Sequence, residues 1–221
     1  MTEAEREALL RCGLFAGISP AAVERLLQCI RGDVVHYEKN HVLWPAGQRL
    51  TACAVVLSGA LRAETVTEDG RHTLVAWQEP GALVGDILMA SPKQGSPVYV
   101  IAAENTDVFL LPFERVMGGC PNCCPAHALL RENLVREIAA KYWVLRRRLD
   151  YLTISSLRGR IMALLQDRAP ESGPFSLGMT RENMADFLFV NRSALSRELS
   201  RMKQDGLIDC YRDTFQILKE K

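Results

Sequence analysis

One segment constrains this chain more than any other: TRENMADFLFVNRSALSRELSRMKQDGLI, residues 180–208. Leu195, Leu199 and Met202 recur at helical spacing and mark one apolar face. Arg192, Ser193, Ser196, Arg197 and Arg201 fall on another face of the same helix. Forked guanidinium donors and short hydroxyls, with no bulky apolar residue among them, suit a helix lying in the DNA major groove. There Arg can meet the two acceptors on a guanine edge and Ser lets the backbone come close. Thr180 is a candidate N-cap for a first short helix with Met184, Ala185 and Leu188 turned inward. Asn191 can cap the second helix, and Gly206 sits where a C-terminal glycine stop belongs. Two short helices with a three-residue break predict a helix-turn-helix. The following LIDCYRDTFQILK alternates apolar and polar residues around Arg212-Asp213-Thr214 and predicts a small hairpin, or wing. Thr180, Arg181, Asn191 and Arg212 flank the polar face and complete the candidate DNA-contacting set. The competing reading is a helical hairpin with a solvated basic face, and the agreement of caps, stop, stripes and wing argues against it.

At these residues the chain resembles the Crp–Fnr family of bacterial transcription regulators. NRSALSRELSRMKQDGLI is similar to that family's recognition helix and the start of its wing, and a weaker resemblance extends over nearly the whole chain. It implies that Arg192, Ser193, Ser196 and Arg197 occupy base-reading positions. It also implies a homodimer on a palindromic operator, with RNA polymerase as a partner. The Ser196-Arg197 pair is closer to the Fnr-like branch than to the cyclic-AMP receptor. One departure concerns the turn: a position that is often Gly in the family is Phe189 here, and a Phe at positive φ is strained.

The charge distribution agrees. The net charge is only +1, so the chain is not a basic nucleic-acid coat. Residues 1–125 hold 10 Lys+Arg against 14 Asp+Glu, −4, and residues 126–221 hold 17 against 12, +5. The basic part contains the helix-turn-helix. MTEAEREALLRCGLF is acidic and polar before any apolar run, so no signal peptide is expected. No stretch approaches the length of a transmembrane helix. Seven cysteines without an export signal point to a reducing cytoplasm rather than a disulfide framework.

The expected fold is α+β: a double-stranded β-helix (jelly-roll) sensor domain over 1–125, a dimerisation helix over 126–152 and a winged helix-turn-helix over 153–221. Residues 3–30 hold two short helical patterns, the second opened by Ser19 or Pro20 with Val23, Leu26, Leu27 and Ile30 inward. Residues 33–112 look all-β, with Gly47, Gly59, Gly70 and Gly81 as turns at steps of 12, 11 and 11. Glu68-Asp69-Gly70 suits a hairpin turn. Residues 126–152 carry Leu130, Leu134, Ile138, Leu145, Leu149 and Leu152 as an apolar stripe. It resembles the family's dimer helix, the alternative being a helix packed on its own β domain, and Trp143 and Val144 are expected to face the β domain. Ile161, Leu164 and Leu165 are expected to pack beneath the helix-turn-helix.

Pro80–Ala103 resembles the phosphate-binding cassette of the cyclic-nucleotide fold, with Gly85-Asp86 at its Gly-Glu positions. Where the family has an Arg that pairs with the cyclic phosphate, this chain has Ser96, then Pro97. Lys93 nearby is a flexible point charge, not a fork. Leu145 matches the adenine-contacting hydroxyl position. A buried phosphate needs a charged partner or several donors, so cyclic AMP is not expected to bind. Gly85, Asp86, Ile87, Leu88, Ser96, Pro97, Tyr99, Tyr142 and Leu145 remain candidates for a pocket taking another small effector, or for plain core.

CPNCCPAH gathers Cys120, Cys123, Cys124 and His127 ahead of the long helix. These can bind a thiophilic metal or cycle between thiol and disulfide, and a helix N-terminus favours thiolate. The alternative is a set of structural cysteines at a hinge. The Fnr-type iron–sulfur arrangement of clustered N-terminal cysteines is missing, since only Cys12 and Cys29 lie there. Cys53 and Cys210 fall in strand patterns and are expected in the core. His36, His41, His72 and His127 show no spacing that suggests haem. No GxSxG, HExxH or paired-carboxylate signature supports catalysis. A cupin-like metalloenzyme would need several His and a Glu at short spacing, which the chain lacks.

Overall fold

The glycine-punctuated apolar runs become a jelly roll. The structure, a computed structural model, describes residues 1–66, 70, 72–91, 95–118, 120, 124–171 and 173–218. The chain forms two compact units, residues 1–140 and 141–221.

In the first unit α1 (Glu3–Arg11) opens on a capping box between Thr2 and Glu5, and α2 (Pro20–Ile30) follows with Ser19 at its N-cap and Pro20 at N1. Val23, Leu26 and Ile30 are buried as expected, and Leu27 is half-buried. Among the described residues eight antiparallel strands follow: β1 (Asp33–Tyr37), β2 (Val42–Trp44), β3 (Ala52–Ser58), β4 (Leu61–Val66), β5 (His72–Gln78), β6 (Leu83–Val84), β7 (Tyr99–Ala102) and β8 (Thr106–Pro112). They pair as two four-stranded sheets, β1-β8-β3-β6 and β2-β7-β4-β5. β3 lies inside its sheet, and its run Cys53–Leu57 is buried without alternation, as a strand covered on both faces requires. Gly59 shows why the turn glycines are needed: φ is +73°, and an added Cβ would stand 2.3 Å from the Asn105 carbonyl oxygen. The Glu68-Asp69-Gly70 turn falls largely outside the described residues, but β4 and β5 pair antiparallel on either side of it. The all-β reading of 33–112 omits α3 (Asp86–Met89), and α4 (Phe113–Met117) follows β8.

The long helix α5 runs unbroken from Pro125 to Thr153, one residue beyond the expected span at each end. Its first half belongs to the first unit. Leu130 and Leu134 are buried there, and the Asn133 side-chain amide donates to the carbonyls of Leu14 and Ala16 at 3.1 and 2.8 Å. The stripe expected as one seam is therefore divided. Leu130 and Leu134 are core, whereas Leu145 and Leu149 on the second half are exposed. Trp143 and Val144 are exposed as well.

The second unit continues with α6 (Leu157–Arg168), β9 (Phe175–Ser176), α7 (Arg181–Phe187), α8 (Arg192–Gln204), β10 (Ile208–Tyr211) and β11 (Thr214–Ile217). The wing sheet has the order β10-β11-β9. Ile161, Leu164 and Leu165 are fully buried under α7 and α8, together with Leu195, Leu199, Met202 and Phe215. Each such side chain contributes roughly 1.5–3 kcal/mol of burial.

Candidate nucleic-acid interface and sensor site

The helix-turn-helix is built by local rules. The Thr180 hydroxyl accepts from the Asn183 N–H at 3.1 Å, and the Asn191 carboxamide oxygen accepts from the Ala194 N–H at 2.7 Å. Both caps stand where the residue types placed them. At the far end of α8, Gly206 (φ +72°) donates to the Lys203 carbonyl and Leu207 to the Met202 carbonyl. That pair of bonds is a Schellman closure. Between the helices Phe189 takes φ +54°. The turn keeps its left-handed residue although that residue is not glycine. The Arg148 guanidinium lies 4.8 Å from the Phe189 ring and 5.0 Å from the Phe187 ring. It also donates to the Asp186 carbonyl at 3.3 Å. These contacts offset the backbone strain.

α8 divides as its stripes predict. Leu195, Leu199 and Met202 are buried, and Arg192, Ser193, Ser196, Arg197 and Arg201 are exposed. The Ser193 hydroxyl donates to Asn191 Oδ1 at 2.8 Å, so it supports the cap. Arg201 lies 3.6 Å from Glu198. Thr180, Arg181, Arg192 and Arg212 line one cleft of about 380 Å³ between the start of α7, the start of α8 and the wing turn. Arg181 is only half-exposed, because its guanidinium stacks 4.6 Å over Phe215. Arg212 takes φ +53° at the wing turn and is exposed. Beside it, Asp213 is held below the ordinary carboxylate value, first by the Ser176 hydroxyl that donates to it at 2.6 Å.

The sequence reading missed the brace behind α8. Arg158 on α6 pairs with Glu198 and Asp205, both at 2.7 Å, and these carboxylates raise the guanidinium's pKa. Its residues are far apart in sequence and carry no periodic signal.

In the β domain the cassette resemblance holds locally: Gly85 (φ +82°) precedes α3, and Asp86 is buried. Ser96 is buried too, but its hydroxyl donates to the Val98 carbonyl at 2.6 Å and so closes a local turn. Lys93 lies outside the described residues. Leu88 and Tyr99 are half-buried, while Ile87 and Pro97 are exposed. Tyr142 and Leu145 belong to the second unit, where both are more than half exposed. A separate open cleft of about 470 Å³ is lined by Leu50, Thr51, Met89, Pro112, Phe113, Glu114 and Arg115, none of them among the candidates.

Cys120 follows α4, Cys124 immediately precedes α5, and His127 lies in the first turn of α5. Cys123 falls outside the described residues. The Cys124 sulfur is 3.5 Å from the Cys120 sulfur and 3.0 Å from His127 Nδ1. Burial is the largest influence on Cys124 and pushes its thiol above the ordinary value, against the thiolate character expected at a helix start. Burial likewise pulls His127 below the ordinary imidazole value, and a hydrogen bond with the Arg115 main chain opposes it. Cys53 is fully buried as expected, and Cys210 on β10 is half-buried.

Residues 34–119 match the family model described as a cyclic nucleotide-binding domain, and residues 159–221 match the Crp-like helix-turn-helix domain. The chain belongs to the Crp–Fnr family. The transcriptional activator protein FnrL of Cereibacter sphaeroides is 29% identical over 76% of this chain and 68% of its own length. The transcriptional activator protein FnrA of Stutzerimonas stutzeri is 26% identical over 82% of this chain and 75% of its own. Among solved structures, the Thermus thermophilus catabolite activator protein covers 93% of each chain, with a TM-score of 0.57 and 22% identity. CprK, in complex with OCPA, covers 89% of this chain and 92% of its own, with a TM-score of 0.62 and 16% identity. These two establish the fold. Like other Crp–Fnr proteins, the chain is a DNA-binding transcription regulator with an effector-sensing domain. No helix among its described residues is long and apolar enough to cross a membrane.

Proposed function

We propose that this Crp–Fnr protein binds a two-fold DNA operator as a homodimer, with α8 of each protomer in one major groove. The observation that carries the reading is the division of α8: an apolar face sunk in the core, and an opposite face of Arg192, Ser193, Ser196, Arg197 and Arg201 left to solvent. Arg192 and Arg197 read base edges, Arg197 at a guanine. Ser196 admits close approach, and Ser193 holds the cap that aims the helix. Arg201, Arg181, Arg212 and the Thr180 end of α7 meet phosphates, which fix register without reading sequence. The exposed Leu145, Leu149, Tyr142 and Trp143 on α5 support pairing with a second copy. A cytoplasmic regulator of this kind answers to RNA polymerase, acts by binding rather than catalysis, and takes a small effector other than cyclic AMP in its β domain. Ser96 is the reason for excluding cyclic AMP: a hydroxyl already spent on Val98 leaves a cyclic phosphate without a charged partner.

Selection of bound fragments from random DNA tests the operator reading. A palindromic motif with half-sites about one DNA turn apart is expected, and recovery of no two-fold motif by active protein overturns it. Calorimetry with cyclic AMP and cyclic GMP is expected to give no heat of binding, and micromolar binding by the β domain would refute the exclusion.

A further inference from the structure

The CPNCCPAH segment does not stand alone in the fold. The last turn of α2 brings Cys29 to it from ninety-one positions earlier in the chain. The sulfurs of Cys29 and Cys120 and a ring nitrogen of His127 all lie within 4.8 Å of one another. Cys124 adds a third sulfur, 3.5 Å from Cys120 Sγ and 3.0 Å from His127 Nδ1. We infer that Cys29, Cys120, Cys124 and His127 form a three-thiolate, one-imidazole site for a resident zinc ion.

The distances suit that ion. Zinc bonds of about 2.3 Å to sulfur and about 2.0 Å to nitrogen, set tetrahedrally, put ligand atoms roughly 3.5–3.8 Å apart. The observed separations, from 3.0 Å to at most 4.8 Å within the Cys29–Cys120–His127 group, bracket that range, and side-chain rotations that move ligand atoms by about an ångström close the shell. The donor set, soft thiolates with one imidazole, selects zinc over magnesium or calcium, which take oxygen ligands. The surroundings are those of a ligand cluster. His127 is 3% exposed, and its ring also hydrogen-bonds the Arg115 main chain, the kind of partner that fixes a ligating imidazole's tautomer. The main-chain N–H of His127 reaches the Cys124 sulfur. Three thiolates on a divalent ion leave a net charge of about −1. Arg131, close enough to His127 to act on its charge, lies beside it.

The site ties the end of α2 to the start of α5. The sequence pattern CPNCCPAH holds a set of ligands that is incomplete without Cys29, and the helix that supplies Cys29 buries Val23, Leu26 and Ile30 in the same core as Leu130 and Leu134. The ion is thus a clasp in the core of the sensor unit, closing a loop of about ninety residues.

The test uses full-length protein, purified under reducing conditions without chelator. Elemental mass spectrometry is expected to give one zinc per chain. Replacement by cobalt is expected to give the intense visible bands of tetrahedral thiolate-bound cobalt. In the wild type, zinc is expected to protect Cys29, Cys120 and Cys124 from alkylation, as mapped by peptides, while Cys210 on the wing reacts alike with and without metal. Removing a hydrogen-bond partner of a ligand costs about 10–100-fold in affinity, so Cys29→Ser should cost more than that and change the cobalt spectrum. Cys210→Ser should change neither. Three results overturn the inference: substoichiometric zinc, a Cys120–Cys124 disulfide in the reduced preparation, or a Cys29 that alkylates equally with and without metal. The last is read on wild-type protein and holds even if Cys29→Ser fails to fold.

Discussion

Two helices leave side chains to solvent in the second unit, and they differ in kind. α8 exposes Arg192, Ser193, Ser196, Arg197 and Arg201, whereas the second half of α5 exposes Tyr142, Trp143, Val144, Leu145 and Leu149. A face of forked cations and hydroxyls is at ease in water and gains by meeting fixed anions and acceptors. Of the apolar residues, Tyr142, Leu145 and Leu149 share one face at helical spacing, and such a face leaves water to be displaced and asks for apolar cover. The two helices therefore present opposite chemistry, one suited to the nucleic acid and the other to the second copy that are proposed as their partners.

The sharpest way to break that contrast is to charge the apolar face. Leu145→Glu with Leu149→Glu, one helical turn apart, should leave a folded monomer by sedimentation. Operator affinity should fall by about 10²–10⁴-fold, the avidity that linking two half-sites supplies. A variant that stays dimeric places the dimer seam elsewhere. On the polar face, Arg197→Ala should cost roughly 1–3 kcal/mol of operator binding and relax preference at one guanine. Its thermal stability should stay within about 0.5 kcal/mol of wild type. A fall in melting temperature instead would make Arg197 a structural residue.

Asn191→Ala removes the oxygen that accepts from the Ala194 N–H and should lower stability by about 1 kcal/mol in denaturant titration. Unchanged stability would mean that tertiary packing alone sets the start of α8. Arg201→Ala should weaken all DNA sequences alike and reduce the slope of log affinity against log salt by about 1. A change in sequence preference would move Arg201 to the base-reading set. The smallest effect lies in the β domain. Asp107 is held below its ordinary value first by the Ser58 hydroxyl, which donates to it at 2.7 Å, and then by His36. A depressed carboxylate contributes stability above its unfolded value, near pH 4, that fades as pH falls through the folded value. Ser58→Ala should therefore be less stable than wild type at neutral pH, and the gap should narrow in acid. A gap independent of pH would assign the loss to packing.

The DNA-binding half was legible because its signals are local. Thr180, Asn191 and Gly206 act within four residues of themselves, and the Leu195–Leu199–Met202 stripe needs only helical spacing. The β domain was legible as a class, through glycine steps and apolar runs, but not in its pairing order, which no short-range pattern encodes. The division of the α5 stripe was hidden for a related reason. Leu130 and Leu145 look alike in sequence, and only the packed β-roll decides which is covered. Cys29 was invisible as a partner of Cys120 because ninety-one positions separate them. The Ser96 turn reads the other way round. Residue type alone argued against a phosphate, and the structure adds that the Ser96 hydroxyl bonds the Val98 carbonyl.

The Schellman closure at Gly206 has a consequence for how this protein measures its target. Two residues, Gly206 and Leu207, separate the end of α8 and its cap from β10, and Leu207 is pinned at both sides, donating to Met202 and accepting from Leu218. On the proposed reading, α8 and the wing tip at Arg212 are thus the jaws of a caliper whose opening is set by main-chain geometry. On that reading, a site whose groove edge and flanking backbone do not match that opening fits poorly whatever its bases.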